Sequence, residues 1–208
     1  MRGRYTETRI PEFRANLRKA WANVTSADVS EGERWYADAN RIMRDWAEHY
    51  GLPIETVASV TAALSPQCRW DLNLIGAANV LDGEPLSLTH GPFPANYRKA
   101  VAILEDKATS ILPYFVSAPK VASFQQNLQG NLDFVTVDTH AAQAALGDAT
   151  AVISLKWKPY VVFAAAYAAN ANEMGLAPAV YQAILWVSWK RMYPPGDKRA
   201  QKRRNKRR

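Results

Sequence analysis

Phe134-Val135-Thr136-Val137-Asp138-Thr139-His140-Ala141-Ala142-Gln143-Ala144-Ala145-Leu146-Gly147 is the stretch whose reading decides the fold. Phe134 to Val137 is aromatic and β-branched, yet it ends after four residues, too short to make a sheet. Asp138 stands where a side-chain oxygen caps a helix, an alanine-rich segment follows to Leu146, and Gly147 supplies the residue that closes it. The β-like stretch therefore runs into a helix, and the rest of the chain offers no series of strands.

Working outward, broad apolar faces predict two long helices, over 158–174 up to Gly175 and over 178–192 up to Pro194 and Pro195. Upstream, helices are expected over 120–128 and 97–105, with a short helical turn near 109–115. Gly83, Pro85, Gly91, Pro92 and Pro94 mark 82–94 as an irregular connection, the longest loop of the body. Before it, helices are expected over 71–81 and 54–64, the latter with Val57, Val60 and Leu64 on one side and Pro66 preventing continuation. Ser30 with Glu33 makes a capping-box pattern ahead of Trp35, Ala39, Ile42, Met43, Trp46 and Tyr50, which recur at helical spacing until Gly51. The fold class is all-α, and no internal repeat is found.

The composition narrows the function. With 208 residues and 48% hydrophobic content the chain can bury a core as one domain or a small pair of helical lobes. The most apolar stretch, 160–169, is far short of a membrane span, and the polar N-terminus lacks a signal-peptide core, so an intracellular, cytoplasmic protein is expected. The single cysteine, Cys68, excludes an intrachain disulfide, a Cys-ligated iron–sulfur cluster and a Cys-rich zinc site, while His49, His90 and His140 make no spaced ligand pair. No metal and no cofactor are expected.

The net charge of +7 sits almost wholly at the C-terminus. Residues 197–208 hold eight Lys or Arg and one Asp, leaving 18 basic and 18 acidic side chains in the first 196 residues. Attraction to phosphates is thus expected from a disordered basic tail, Lys198, Arg199, Lys202, Arg203, Arg204, Lys206, Arg207 and Arg208, whose plainer alternative is a solubilising terminus.

The segment with chemical content is Ser117-Ala118-Pro119-Lys120-Val121-Ala122-Ser123-Phe124 followed by Val135-Thr136-Val137-Asp138-Thr139-His140. A tight turn separates two helices, a lysine opens the second, and an aspartate caps the next eighteen residues later, so an amine and a carboxylate are candidates for one cleft. This arrangement resembles the helix-hairpin-helix DNA glycosylase superfamily, of the endonuclease III-like kind, in which a hairpin ending in lysine precedes a Val-Asp-Thr-His segment with the essential aspartate. Val137-Asp138-Thr139-His140 matches that segment, Leu64-Ser65-Pro66-Gln67 resembles the family's Leu-Ser-x-Gln turn, and Tyr97-Arg98-Lys99-Ala100 resembles its Tyr-x-x-Lys-Ala helix start. The resemblance covers roughly 57–146 and implies a two-lobed helical domain over 1–196 with a cleft between lobes, followed by the tail. It departs from the family at the hairpin, where Tyr114-Phe115-Val116-Ser117-Ala118 replaces a glycine-rich turn, and glycines are what let such a backbone approach a phosphate closely. A looser likeness extends to the phage glycosylase-like pyrophosphorylases that act on hypermodified thymine.

The resemblance implies roles. Asp138 would stabilise positive charge on a sugar while the N-glycosidic bond breaks, or serve only as a helix cap, roles one side chain can fill together. Lys120 would be the amine nucleophile that leaves a Schiff base, or a solvated or phosphate-binding lysine. Gln67 would enter the gap left by a flipped nucleotide, or be an exposed turn residue. Arg69 and Lys99 are candidate DNA contacts, and Trp70 a candidate stacking surface or core residue. His140 is read as a hydrogen-bonded structural histidine, and Trp186 and Trp189 as core. The expected activity is base extrusion from DNA and cleavage of its sugar linkage by a monomer. The alternatives are a pyrophosphorylase-like enzyme acting on modified thymine and a noncatalytic DNA-binding protein on the same scaffold.

Overall fold

The computed structural model describes residues 5–85, 93–106 and 115–194. Among them are nine α-helices and no strand, so the fold is all-α: α1 (Ile10–Trp21), α2 (Ser26–Tyr50), α3 (Ile54–Leu64), α4 (Trp70–Leu81), α5 (Pro94–Asp106), α6 (Pro119–Leu128), α7 (Thr139–Leu146), α8 (Trp157–Glu173) and α9 (Pro178–Met192). The expected turn near 109–115, most of the expected loop over 82–94 and the basic tail lie outside the described residues, apart from their edges. No described helix is long and apolar enough to cross a membrane.

The chain divides into two compact units, residues 1–37 with 132–208, and residues 38–131. In the second, α3 packs against α4, α5 and α6. Sequence spacing suggested one apolar side for α3. In the structure every residue from Val57 to Leu64 is buried, as befits a helix with neighbours all round. Its buried hydroxyls return to their own helix, Thr61 Oγ1 donating to the Val57 carbonyl at 2.9 Å.

The first unit is built on α1, α7, α8 and α9, with α1 against α7, α8 and α9. Its core joins Phe13 and Leu17 of α1, Val135 and Val137, the alanines of α7, Tyr160, Phe163 and Tyr167 of α8, and Tyr181, Leu185 and Trp189 of α9. The alanines that make 139–146 a good helix also let these aromatic side chains lie close to its backbone, and the Tyr167 hydroxyl donates to the Ala141 carbonyl at 3.0 Å. Helix α1 is not signalled by the periodicity described above. Pro11 starts it, and Asn170 Nδ2 donates to the Arg14 carbonyl at 3.0 Å, tying it to α8.

The expected capping box at Ser30 and Glu33 is corrected, because α2 begins at Ser26 and both residues lie inside it. The box is formed by Thr25 and Asp28. The Thr25 N–H donates to Asp28 Oδ2 at 2.8 Å, and the Asp28 N–H donates to Thr25 Oγ1 at 3.2 Å. Aspartate stands where the usual box has glutamate, and its carboxylate also accepts from Arg191 of α9, whose Nη2 and Nε lie 2.7 and 3.0 Å from its oxygens. That bond, with those from Thr25, holds the Asp28 carboxyl far below the ordinary carboxylate range despite the opposing pull of burial.

From Asp28 the first half of α2 runs antiparallel to α9. Asp28 meets Arg191, Gly32 meets Ile184, and the Tyr36 hydroxyl donates to Gln182 at 3.3 Å. A Cβ on Gly32 would sit 2.5 Å from the Ile184 Cα, so the two backbones touch where the side chain is missing. Gly32→Ala is expected to force these helices apart at a cost of about 2–3 kcal/mol, read from the urea midpoint.

Acid should expose the Asp28 pair. Its carboxyl is depressed in the fold, so its stabilisation is present above the unfolded value of about 4 and is lost as the pH falls below it. Asp28→Asn is expected to cost about 2 kcal/mol at pH 7, since Arg191 stays half in water and resolvates easily. The variant should also lose less stability than the wild type between pH 5 and pH 2, by denaturant unfolding at each pH.

Candidate active site

Asp138 is the N-cap of α7, extended at φ −96° and ψ −173°, and its Oδ1 accepts from the Ala141 N–H at 2.8 Å. The approach to it is held from the core. The Tyr160 hydroxyl donates to the Val135 carbonyl at 2.6 Å and accepts from the Val137 N–H at 3.2 Å, so one buried phenol takes up both backbone groups of the short extended stretch. Gly147 ends the helix at φ 64°, with the Asp148 N–H returning to the Gln143 carbonyl at 3.1 Å. The cap and stop expected for this helix are therefore present.

The second carboxylate oxygen has a partner that sequence reading placed elsewhere. Trp186 Nε1 of α9 donates to Asp138 Oδ2 at 2.9 Å. Trp186 and Trp189, expected together in the core, separate: Trp189 is 5% exposed and lies in the core, whereas Trp186 is half-buried with its indole N–H on the carboxylate. Trp35 of α2 meets the Trp186 ring edge-on, centroids 6.2 Å apart, and Lys190 Nζ lies 3.7 Å over it. Asp138 is itself half-buried, and a carboxylate oxygen that accepts one N–H keeps a further lone pair for a ligand. Sequence reasoning missed Tyr160, Trp186 and Lys190. Only the spacing of four between Trp186 and Lys190 was visible, and it does not point to Asp138.

His140 is corrected. It lies half-buried in the first turn of α7, and its Nδ1 is buried without a hydrogen-bond partner, in place of the hydrogen-bonded histidine expected.

The other sequence-derived candidates within the described residues belong to the second unit. Lys120 is the second residue of α6, after Pro119, and is half-buried. A cation at the positive end of a helix is placed against the backbone dipole, so this lysine does not serve the helix. Gln67 is exposed in the turn between α3 and α4 and has φ 57°, the only non-glycine residue with positive φ among those described. Arg69, two residues on, is exposed and paired to Asp71 at 2.7 Å, a solvent-screened surface contact that opens readily. Trp70 meets Phe124 edge-on, centroids 6.1 Å apart, so this turn is braced on the helix that Lys120 opens. Lys99 is half-buried on α5. The tail lysines and arginines, 198–208, lie outside the described residues.

The left-handed backbone of Gln67 generates a stability prediction. Gln67→Gly removes the clash between Cβ and its own carbonyl and is expected to stabilise the fold by about 0.5–1 kcal/mol, whereas Gln67→Ala keeps the clash and gains nothing. Thermal unfolding of the two variants side by side is the measurement.

No curated protein and no solved structure matches this chain. A family model described as a family of unknown function, DUF7178, matches residues 3–193, and the chain belongs to that family.

Proposed function

We propose that this protein is a DNA glycosylase-like enzyme of the helix-hairpin-helix kind, which extrudes a damaged or modified base and cleaves its N-glycosidic bond. The observation that carries the reading is the state of Asp138. Within a Val-Asp-Thr-His segment the carboxylate of this partly buried residue is held by two N–H donors, with lone pairs to spare. A fixed negative group of this kind stabilises the positive charge that builds on a sugar as its base departs.

Lys120 is the proposed amine. Its neutral nitrogen adds to the anomeric carbon as the base leaves with the bonding pair and takes the proton that the lysine nitrogen sheds; the bond from that carbon to the ring oxygen then breaks, the oxygen takes a proton from water, and the opened sugar is left as a Schiff base on the lysine. Gln67 is the proposed gap-filling residue, and its exposure on a braced turn with an unfavourable backbone supports a role beyond joining two helices. The partner is DNA, to which Arg69, Lys99 and the eight basic residues of the tail contribute phosphate contacts.

One observation favours a second reading, a noncatalytic DNA-binding protein. The turn ahead of Lys120, Phe115-Val116-Ser117-Ala118, has no glycine to bring its backbone onto a phosphate.

Purified protein incubated with oligonucleotides carrying normal, damaged and phage-type modified bases separates the two. The enzyme should release a base detected by mass and form a borohydride-trapped adduct. Asp138→Asn should lower release by roughly 10²- to 10³-fold, and Lys120→Ala should abolish the adduct. Binding without release or adduct on every oligonucleotide would establish the noncatalytic reading instead. A pyrophosphorylase-like enzyme would show itself by acting only on the modified thymines.

A further inference from the structure

We infer that Trp186 is a positioning residue for the Asp138 carboxylate, with Lys190 holding the indole in place. The inference rests on the reading of Asp138 as the catalytic group and deepens it.

A helix cap needs one oxygen. Serine, threonine, asparagine or aspartate would serve Ala141 equally well. Asp138 meets a second requirement, because Oδ2 faces the indole N–H of Trp186, a group that only donates. With asparagine, one of the two N–H groups would face the amide NH2, donor against donor. A hydroxyl offers a single oxygen to donors that reach two. The residue type that satisfies both Ala141 and Trp186 is therefore a carboxylate, and together they set the plane in which its remaining lone pairs lie.

The indole is restrained in turn. Trp35 stands against its edge, and Lys190, one turn along α9 on the same face, places its ammonium over the ring. An ammonium above the π face draws electron density from the ring and makes its N–H a stronger donor. The link between Lys190 and Asp138 thus runs through the ring.

Two measurements on the full chain test this. With ¹⁵N-indole tryptophan, the Trp186 Nε1–H resonance is identified by its loss in Trp186→Phe. Asp138→Ser, which keeps a capping oxygen, should move that resonance strongly, and Lys190→Met should move it less. A Trp186 signal indifferent to Asp138→Ser would overturn the inference.

The second measurement uses whichever oligonucleotide releases a base. Trp186→Phe leaves an aromatic ring and the carboxylate but removes the N–H, and it should lower kcat by roughly ten- to a hundredfold with KM unchanged. Lys190→Met should lower kcat in the same sense, with Lys190→Arg restoring it. Wild-type kcat in Trp186→Phe would overturn the positioning role. If Trp186→Phe does not fold, the Lys190 pair reads the same link from outside the core. Failure of the wild type to release any base defeats the glycosylase reading, while the indole resonance still decides whether Trp186 holds Asp138.

Discussion

The carboxylate of Asp138 is shared between a backbone N–H and an indole N–H, and that sharing ties α7 to α9 beside the apolar core of the first unit. The backbone donor belongs to α7, short and alanine-rich, which keeps its place through close packing on the tyrosines of α8 and α9. The indole donor belongs to α9. Between them, Tyr160 reaches from α8 to the extended residues ahead of the aspartate and takes up a carbonyl and an N–H with one hydroxyl. Two donors, one from the helix that Asp138 itself caps and one from α9, thus meet on its carboxylate, while α8 fixes the backbone ahead of it.

The same helix α9 is braced by α2 through contacts of different kinds. At one end an ion pair joins Arg191 to the residue that also closes the cap of α2. Further along, Gly32 lets the two backbones touch, and beyond it Trp35 and Tyr36 reach Trp186 and Gln182. Helix α9 therefore presents buried aromatic rings to the core on one face, while another carries the indole that holds the carboxylate.

The second unit is organised differently. Helix α3 is enclosed on all sides, so the turn that follows it begins from a rigid base. That turn carries Gln67 in a backbone state that glutamine disfavours and Arg69 in an ion pair that opens readily, with Trp70 anchoring it on α6. A firmly seated turn with an exposed polar tip is a suitable element for entering a nucleic acid, and it motivates the role proposed for Gln67.

Residue pattern alone determined much of this protein. Periodicity, prolines and glycines located most of the helices, because helix stops are local events: Pro66 after α3, Gly147 after α7 and Gly175 after α8 act through their own backbones. The cap at Asp138 was legible for the same reason. Where a choice of partner was needed, sequence pattern did not suffice. Ser30 and Glu33 have the spacing of a capping box, as do Thr25 and Asp28, and the pairing of Asp28 with Arg191, 163 residues away, accompanies the start of α2 at Ser26. Trp186 and Trp189 look alike in a helix with a broad apolar face. Only tertiary packing turned one into the core and the other onto a carboxylate, because a hydrogen bond between residues 48 apart leaves no periodic trace in either segment.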